Sequence, residues 1–299
     1  MQSLTLKQLR YFEALARTGQ FGLAADDCAI TQPALSMQIK DLELLVGAPL
    51  VERGTRRVRL TALGQQFAAR AREILRSVDE LGDLVRADGD SLSGPLRIGV
   101  IPTVAPYLLP RLIAALHRQF PALDPQPRET VTPRLIRDLA EARIDIAIVA
   151  LPVSEPTLQE TPLFDEEFVL VRPASERDRP VPLPEHLQEE RLLLLEEGHC
   201  FRDQALSFCK MAQAPRGLME GSSLSTLVQM VGAGIGVTLI PEMAIDLETR
   251  SANVSVARLS APRPTRTIGM VWRRSNPLAD RFEQIAGIVT DLGQPTADA

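Results

Sequence analysis

The spacing of apolar residues changes character once along the chain, and that change bounds what it can fold into. From Leu6 to about Asp88 apolar side chains recur mostly at helical intervals. Residues 88–95 (Asp-Gly-Asp-Ser-Leu-Ser-Gly-Pro) are turn formers, and beyond them short apolar strands alternate with helical segments. Two differently built bodies joined by a hinge are expected, which suits a length of 299 residues. Charge divides at nearly the same place. Residues 1–76 hold 11 Lys/Arg against 7 Asp/Glu, a net of +4, and residues 77–299 hold 22 against 31, a net of −9. A basic head on an acidic body directs only the head toward a polyanion.

In the head, Leu6, Leu9, Tyr11, Phe12, Leu15 and Ala16 predict a helix closed by Gly19. Leu23, Ala24, Ala25 and Cys28 predict a short second helix, with Cys28 as a small buried hydrophobe. Thr31 is placed to cap a third helix with Pro33 in its first turn. That helix would bury Leu35, Ile39 and Leu42 and turn Gln32, Pro33, Ser36, Met37 and Lys40 outward. Two short helices around a tight turn, the second presenting small and polar side chains, make a helix-turn-helix. Gln can fork onto adenine and Ser can meet either kind of base edge. Next come Arg53, Arg56, Arg57 and Arg59 around Gly54, with Val58 and Leu60 alternating inward. This reads as a β-ribbon wing laying guanidiniums on phosphate, though the arginines alone would equally suit a solvated basic hairpin.

Between head and body, Phe67, Ala71, Ile74, Val78, Leu81 and Val85 step by four and three, a heptad seam. A helix of about 40 Å with nothing of its own to pack on predicts a dimer. Three cysteines exclude a disulfide framework. The start, MQSLTLKQLR, has no apolar signal region, and residues 228–245 are interrupted by Gly, Pro and charge, so no membrane span is expected and the expected compartment is a reducing cytoplasm.

In the body, strands are expected near 96–100, 144–149, 168–171, 192–195, 236–240 and 267–272, and helices near 107–120, 133–142, 224–231 and 278–292. The alternation predicts a parallel α/β sheet in two lobes with a cleft between. The glycine-rich stretch 231–236 does not suit a dinucleotide, because it ends a helix and opens a strand, the reverse of what phosphate binding needs.

Ala24-Ala25, residues 31–36 (Thr-Gln-Pro-Ala-Leu-Ser), Leu42-Glu43, Gly47, Glu52-Arg53 and Leu60-Thr61 resemble the DNA-binding head of LysR-type transcriptional regulators. Head, helix and two-lobed body follow in that family's order over the whole chain. The resemblance implies an α/β protein with an N-terminal winged helix-turn-helix (1–61), a linker and dimerisation helix (62–88), and a two-lobed regulatory domain akin to periplasmic binding proteins (94–299). Lobe one would take about 94–164 plus 267–299, and lobe two about 165–266. It also implies that Gln32, Pro33, Ser36 and Lys40 face the groove and the wing arginines face phosphate.

Residues 198–206 (Gly-His-Cys-Phe-Arg-Asp-Gln-Ala-Leu), Phe208-Cys209, residues 94–99, Ile101-Pro102-Thr103 and residues 266–269 are similar to the peroxide-sensing members of that family. The similarity implies that hydrogen peroxide oxidises Cys200 and Cys209 resolves it. By position, Thr103, Thr132, His199 and Asp203 would hold the peroxide with Arg266 nearby. The disulfide would switch the regulatory domain and activate oxidative-stress genes. Double-stranded operator DNA, a homodimer pairing into a tetramer, hydrogen peroxide and RNA polymerase are the expected partners. No cofactor, metal or enzymatic activity is expected.

Independently of the resemblance, attack on an O–O bond needs a thiolate. Cys200 is flanked by His199 and Arg202 and lies near the start of a helix expected over 202–212. If that helix is intact, the two Cα atoms stand about 13 Å apart, whereas a disulfide needs about 4.4–6.8 Å. The segment must therefore unwind for the disulfide to form, after the sulfenic acid. Each threonine would otherwise be a turn cap, His199 a surface imidazole and Cys200 a buried thiol. The competing regulator would answer a small organic effector in the cleft, using residues 221–225 (Gly-Ser-Ser-Leu-Ser) at a helix start. A thiol peroxidase is disfavoured because it has no need of a basic head. Three scattered histidines and two cysteines give no metal-ligand spacing.

Overall fold

A computed structural model of the chain describes residues 4–52, 58–88, 92–183, 186–187, 190–209, 219–261 and 263–293. The chain divides into two compact units, Met1–Val85 and Arg86–Ala299.

In the first unit, Thr5 and Gln8 form a reciprocal capping box that starts α1 (Leu6–Thr18), and Gly19, at φ 65°, ends it. Helix α2 (Phe21–Asp27) is short. Thr31 accepts from the Ala34 N–H at 3.4 Å and caps α3 (Gln32–Val46), with Pro33 in the first turn. Phe12, Leu15, Leu35, Ile39 and Leu42 form the centre of a closed core. Gln32, Pro33, Ser36, Met37 and Lys40 are exposed along one side of α3. Strands β1 (Val51–Glu52) and β2 (Arg59–Leu60) pair antiparallel as the base of the wing, with Arg59 exposed. Arg53, Arg56 and Arg57 lie outside the described residues. The buried carboxylate of Glu43 accepts from the N–H groups of Leu50 (2.7 Å) and Val51 (3.0 Å), tying α3 to the wing. Cys28 caps the end of α2 and is only half-buried, because the helix stops at Asp27 and leaves it at the margin of the head's core.

Helix α4 (Ala62–Asp88) begins where Thr61 accepts from the Gly64 N–H at 2.9 Å. A side chain at Gly64 would bring its first carbon within 2.0 Å of the Leu50 carbonyl, so only glycine allows this approach. The heptad seam divides into two parts. Phe67 meets Phe12 edge-on at 5.4 Å, Ala68 joins the head's core and Ala71 is buried, so this end of the helix packs on its own chain, contrary to expectation. Further along, Ile74 and Leu81 are 45% and 62% exposed. The side chain of Val85 lies outside the described residues.

The second unit is a mixed sheet with helices packed on it. Its strands are β3 (Gly94–Val100), β4 (Leu123–Glu129), β5 (Ile146–Ala150), β6 (Leu158–Pro173), β7 (Leu192–Leu195), β8 (Glu220–Gly221), β9 (Val237–Pro241), β10 (Val254–Arg258) and β11 (Thr265–Arg273). The order is β4-β3-β5-β11-β6-β9-β7-β8, with β10 also on β6. Pairing is parallel in β4-β3-β5 and β9-β7-β8, but β11 enters antiparallel between β5 and β6, and β6 is antiparallel to β9 and β10. The wholly parallel sheet expected from alternation is therefore corrected: a C-terminal strand inserted at the centre leaves no trace in the order of elements.

Two apolar cores form along this sheet. One gathers β3, β5 and β11 with α5 (Ala105–Gln119), α6 (Thr132–Ala140) and α9 (Ala279–Gly293), centred on Ile98, Leu112, Ile148 and Trp272. The other gathers the second half of β6, β7 and β9 with α7 (Cys200–Phe208) and α8 (Leu224–Gly232), centred on Phe168, Leu193, Val228 and Leu239. Strand β6 passes from one to the other, Leu163 lying in the first and Phe168 in the second.

Candidate functional site

Strands β3 and β4 run parallel, so the loops that follow them leave at the same edge, where α/β folds place ligands. The first loop carries Pro102 and Thr103, and the second ends at Val131, with Thr132 opening α6. From the second core, β7 leads to Gly198, whose φ of 96° favours glycine and where the first carbon of a side chain would meet Val131 at 3.8 Å. This turn delivers His199 and Cys200 to the start of α7. Thr103, Thr132, His199 and Cys200, with Ile101, Pro102, Val131 and Phe201, line a narrow cavity that has no room for a water-sized molecule in this conformation.

Five of the seven residues singled out around the thiols thus share one small region. Cys200 is half-buried and packs against the first core. Thr103 is buried, and its hydroxyl and carbonyl oxygens accept from Arg266 at 2.8 and 3.1 Å. The Thr132 hydroxyl is buried without a hydrogen-bond partner, an anomaly that a small polar ligand would resolve. Burial lowers the His199 pKa below its ordinary value, against an opposing effect of Glu196, so the ring is neutral at neutral pH and both donates and accepts. Arg266 lies over the Phe201 ring at 5.4 Å. The two outside that region are Cys209, at the far end of α7, and Asp203, which is exposed and absent from the cavity lining because α7 buries the stripe of Phe201, Arg202 and Ala205 and turns Asp203 away. Arg202 donates to the Leu195 carbonyl (2.8 Å) and Glu220 (2.6 Å), so its charge is engaged away from the thiol.

The sequence reading missed Glu166, the buried partner of Arg266. Its only signal was a carboxylate run, residues 165–167, leading into an apolar strand. It also missed Glu248, which accepts from Tyr107 (2.7 Å) and Ser225 (2.6 Å). These groups, with Ser222, Ser223 and His199, line a second cleft of about 290 Å³ beside the first. Burial, then the bond to Glu248, raises the Tyr107 pKa and keeps it protonated.

The two thiols are free and occupy opposite ends of α7, Cys200 opening it and Cys209 closing it. The expected helix over 202–212 therefore starts earlier and ends at Phe208, and residues 210–212 lie outside the described residues. Nine residues of helix separate the Cα atoms by about 13 Å. Cys200 packs on the first core, whereas Cys209 is fully buried in the second. Burial pushes the Cys209 thiol up to about 11 from 9.0. A raised acid is held neutral by folding, so this contribution to stability is complete below pH 9.0 and fades as pH rises toward 11. The same shift leaves about a hundredfold less Cys209 thiolate than an ordinary thiol at pH 8. Iodoacetamide at that pH should therefore label Cys209 about a hundredfold more slowly in the native protein than in denaturant, a difference that mass spectrometry of timed samples reads.

Among the described residues, no group of three or more His, Cys, Asp or Glu side chains is arranged to hold a metal, and no helix is long and apolar enough to cross a membrane.

Residues 6–65 match the bacterial regulatory helix-turn-helix proteins of the lysR family, and residues 89–293 match the LysR substrate binding domain. The chain belongs to the LysR family of bacterial regulators. Within it, the chain is 41% identical over 288 residues to the DNA-binding transcriptional dual regulator OxyR of Escherichia coli K12, covering 95% of this chain and 94% of that one. It is 41% identical over 293 residues to the hydrogen peroxide-inducible genes activator of Dickeya chrysanthemi, covering 96% and 95%. Among solved structures it resembles a full-length OxyR variant from Pseudomonas aeruginosa (TM-score 0.75, 37% identity, 98% and 96% covered). It also resembles a Corynebacterium glutamicum OxyR mutant with hydrogen peroxide bound (TM-score 0.65, 34% identity, 96% and 92% covered).

Proposed function

We propose that this chain is a peroxide-sensing transcriptional regulator that binds operator DNA through residues 1–61 and is switched by oxidation of Cys200. The observation that carries the reading is the pair of free thiols at the two ends of α7, anchored in different cores, with Cys200 opening onto a cavity that holds an unpartnered hydroxyl. The Dickeya chrysanthemi relative, a hydrogen peroxide-inducible genes activator, supports it at 41% identity over nearly the whole chain.

In this mechanism the Cys200 thiolate attacks one peroxide oxygen, the O–O bond breaks, and hydroxide leaves and takes a proton to become water. Cys200 is then a sulfenic acid. Thr103, Thr132 and His199 supply hydrogen bonds to the peroxide and to the developing hydroxide, with Arg266 fixing Thr103. Asp203 would join only after α7 moves. The Cys209 sulfur then attacks the sulfenic sulfur, forming S–S, breaking S–O and releasing a second water. Because the intact helix holds the sulfurs too far apart, α7 must unwind, Cys200 or Cys209 must leave its core, and that rearrangement is the signal. Each chain reduces one peroxide per cycle and needs an outside reductant to reset, so it acts as a switch, not as an enzyme. Cytoplasmic location suits a protein that must be reset by thiol reductants.

We take residues 94–164 plus 267–299 as one lobe, 165–266 as the other and 62–88 as the linker, a division that the two separate apolar cores support. The exposed seam at Ile74 and Leu81 would pair with a second copy, and dimers would pair again on a two-fold operator and contact RNA polymerase. Ile74→Asp with Leu81→Asp should remove the linker pairing and weaken operator binding at least tenfold, as read by light scattering and a DNA titration. Cys200→Ser in the full chain, titrated with peroxide against operator DNA, tests the redox step itself. The second reading, a small organic effector, rests on the cleft of about 290 Å³ lined by Ser222, Ser225, Tyr107 and Glu248; it requires neither cysteine.

A further inference from the structure

We propose that Glu166 is a positioning residue for the redox switch: it fixes the Arg266 guanidinium, which in turn holds Thr103 with its hydroxyl proton free to point into the Cys200 cavity. The proposal rests on Cys200 being the peroxide-reactive thiol.

Glu166 and Arg266 are direct cross-strand partners in the β6–β11 ladder. Their side chains are 4% and 0% exposed, and Glu166 Oε2 lies 2.8 Å from Arg266 Nε and 2.7 Å from Nη2. The other carboxylate oxygen, Oε1, accepts from the Met243 backbone N–H at 3.1 Å, so the carboxylate is itself held at two points. The far side of the guanidinium meets Thr103, with Nη1 donating to the hydroxyl oxygen at 2.8 Å and Nη2 to the carbonyl at 3.1 Å. The Phe201 ring, next in sequence to Cys200, covers its face.

The chemistry follows from what each group can do. A guanidinium only donates, so the Thr103 oxygen must be an acceptor toward Arg266. The hydroxyl proton is then left for another partner, and Thr103 lines the Cys200 cavity. A donor fixed in this sense suits a peroxide oxygen that gains negative charge as the O–O bond breaks. Without Glu166 the guanidinium loses the partner of its Nε edge and can swing, and Thr103 is free to turn its proton elsewhere. The carboxylate also neutralises the buried cation, so Glu166→Gln leaves an unbalanced positive charge against the Phe201 ring, one residue from Cys200, and a positive charge there favours a thiolate. Loss of orientation should slow attack on peroxide, whereas the altered charge should not slow a reaction that needs only the thiolate.

The experiment compares two rates at Cys200 in the reduced full-length protein, each followed by intact mass across pH 5–9: oxidation by hydrogen peroxide and alkylation by iodoacetamide. Glu166→Gln is expected to slow oxidation about tenfold, the effect of one lost hydrogen bond, while alkylation is unchanged or faster with its pH midpoint moved down. Combined with Thr103→Val, it should slow oxidation no further than Thr103→Val alone. Glu166→Asp keeps the charge and loosens the contact, and it carries the test if the Gln variant does not fold: oxidation about threefold slower with alkylation unmoved. Parallel changes in both rates would mean that Glu166 only keeps the segment folded, and unchanged oxidation or additive effects with Thr103→Val would equally overturn the proposal. If peroxide leaves Cys200 of the unsubstituted protein untouched, the functional reading itself falls and the proposal with it, an outcome distinct from the others because it appears without any substitution.

Discussion

Cys200→Ser is expected to abolish the response to peroxide. A serine hydroxyl is not ionised at neutral pH and does not attack an O–O bond, so neither the sulfenic acid nor the disulfide can form. Operator binding should then be the same before and after peroxide, whereas the unsubstituted protein should change. Cys209→Ser should separate the two chemical steps. Cys200 would still be oxidised, because its cavity is built by Thr103, Thr132 and His199 without help from Cys209. The product would stop at the sulfenic acid, a gain of one oxygen in intact mass, or pass on to sulfinic acid under excess peroxide. Cys28→Ser should leave the response intact, since Cys28 belongs to the head and is remote in sequence from α7.

Glu43→Ala should have the largest effect outside the regulatory unit. The carboxylate is buried and takes the backbone N–H groups of Leu50 and Val51, where α3 hands over to the wing. Removing it leaves two donors without this partner in a site closed to water. At about 1.5–3 kcal/mol for each hydrogen bond to a charged group, less what the backbone recovers, the head should lose about 2–4 kcal/mol. Urea unfolding of the full chain should show the head's transition moved to lower denaturant and operator binding weakened, with peroxide oxidation of Cys200 unaltered. Glu43→Gln keeps one acceptor oxygen and should fall between. An unchanged head transition in the Ala variant would show that this link is not what holds the wing.

The helical head was legible because its signals are local. Thr5, Thr31, Gly19 and Gly47 mark the helix ends by side-chain caps or left-handed backbone, and Leu35, Ile39 and Leu42 share one face. The body was legible as a set of elements but not as a sheet. Pro125 and Pro127 hid β4, since proline discourages a strand reading, yet both fit an edge strand where the missing donors face outward. Strand β10 was too short and mixed, Val-Ser-Val-Ala-Arg, to stand out. At the site, Cys200, His199, Thr103 and Thr132 were found through motif resemblance, and the fold brings all four to one cavity. Asp203 was carried by the same motif but depends on which way one helix is turned. Glu166 could not be found at all without the β6–β11 register, because it stands 100 residues from its partner. The seam of α4 misled in part: Phe67 satisfied both the heptad and the head's core, and sequence spacing does not reveal which of two neighbours a side chain meets.

A peptide map of the peroxide-treated, thiol-blocked protein decides whether a Cys200–Cys209 disulfide is the switch. One new cross-linked product is expected, joining the peptides of Cys200 and Cys209 within a single chain. It should appear in step with altered operator binding and disappear with a reductant, while Cys28 stays alkylatable. Finding Cys200 and Cys209 both free while operator binding still responds to peroxide would contradict it.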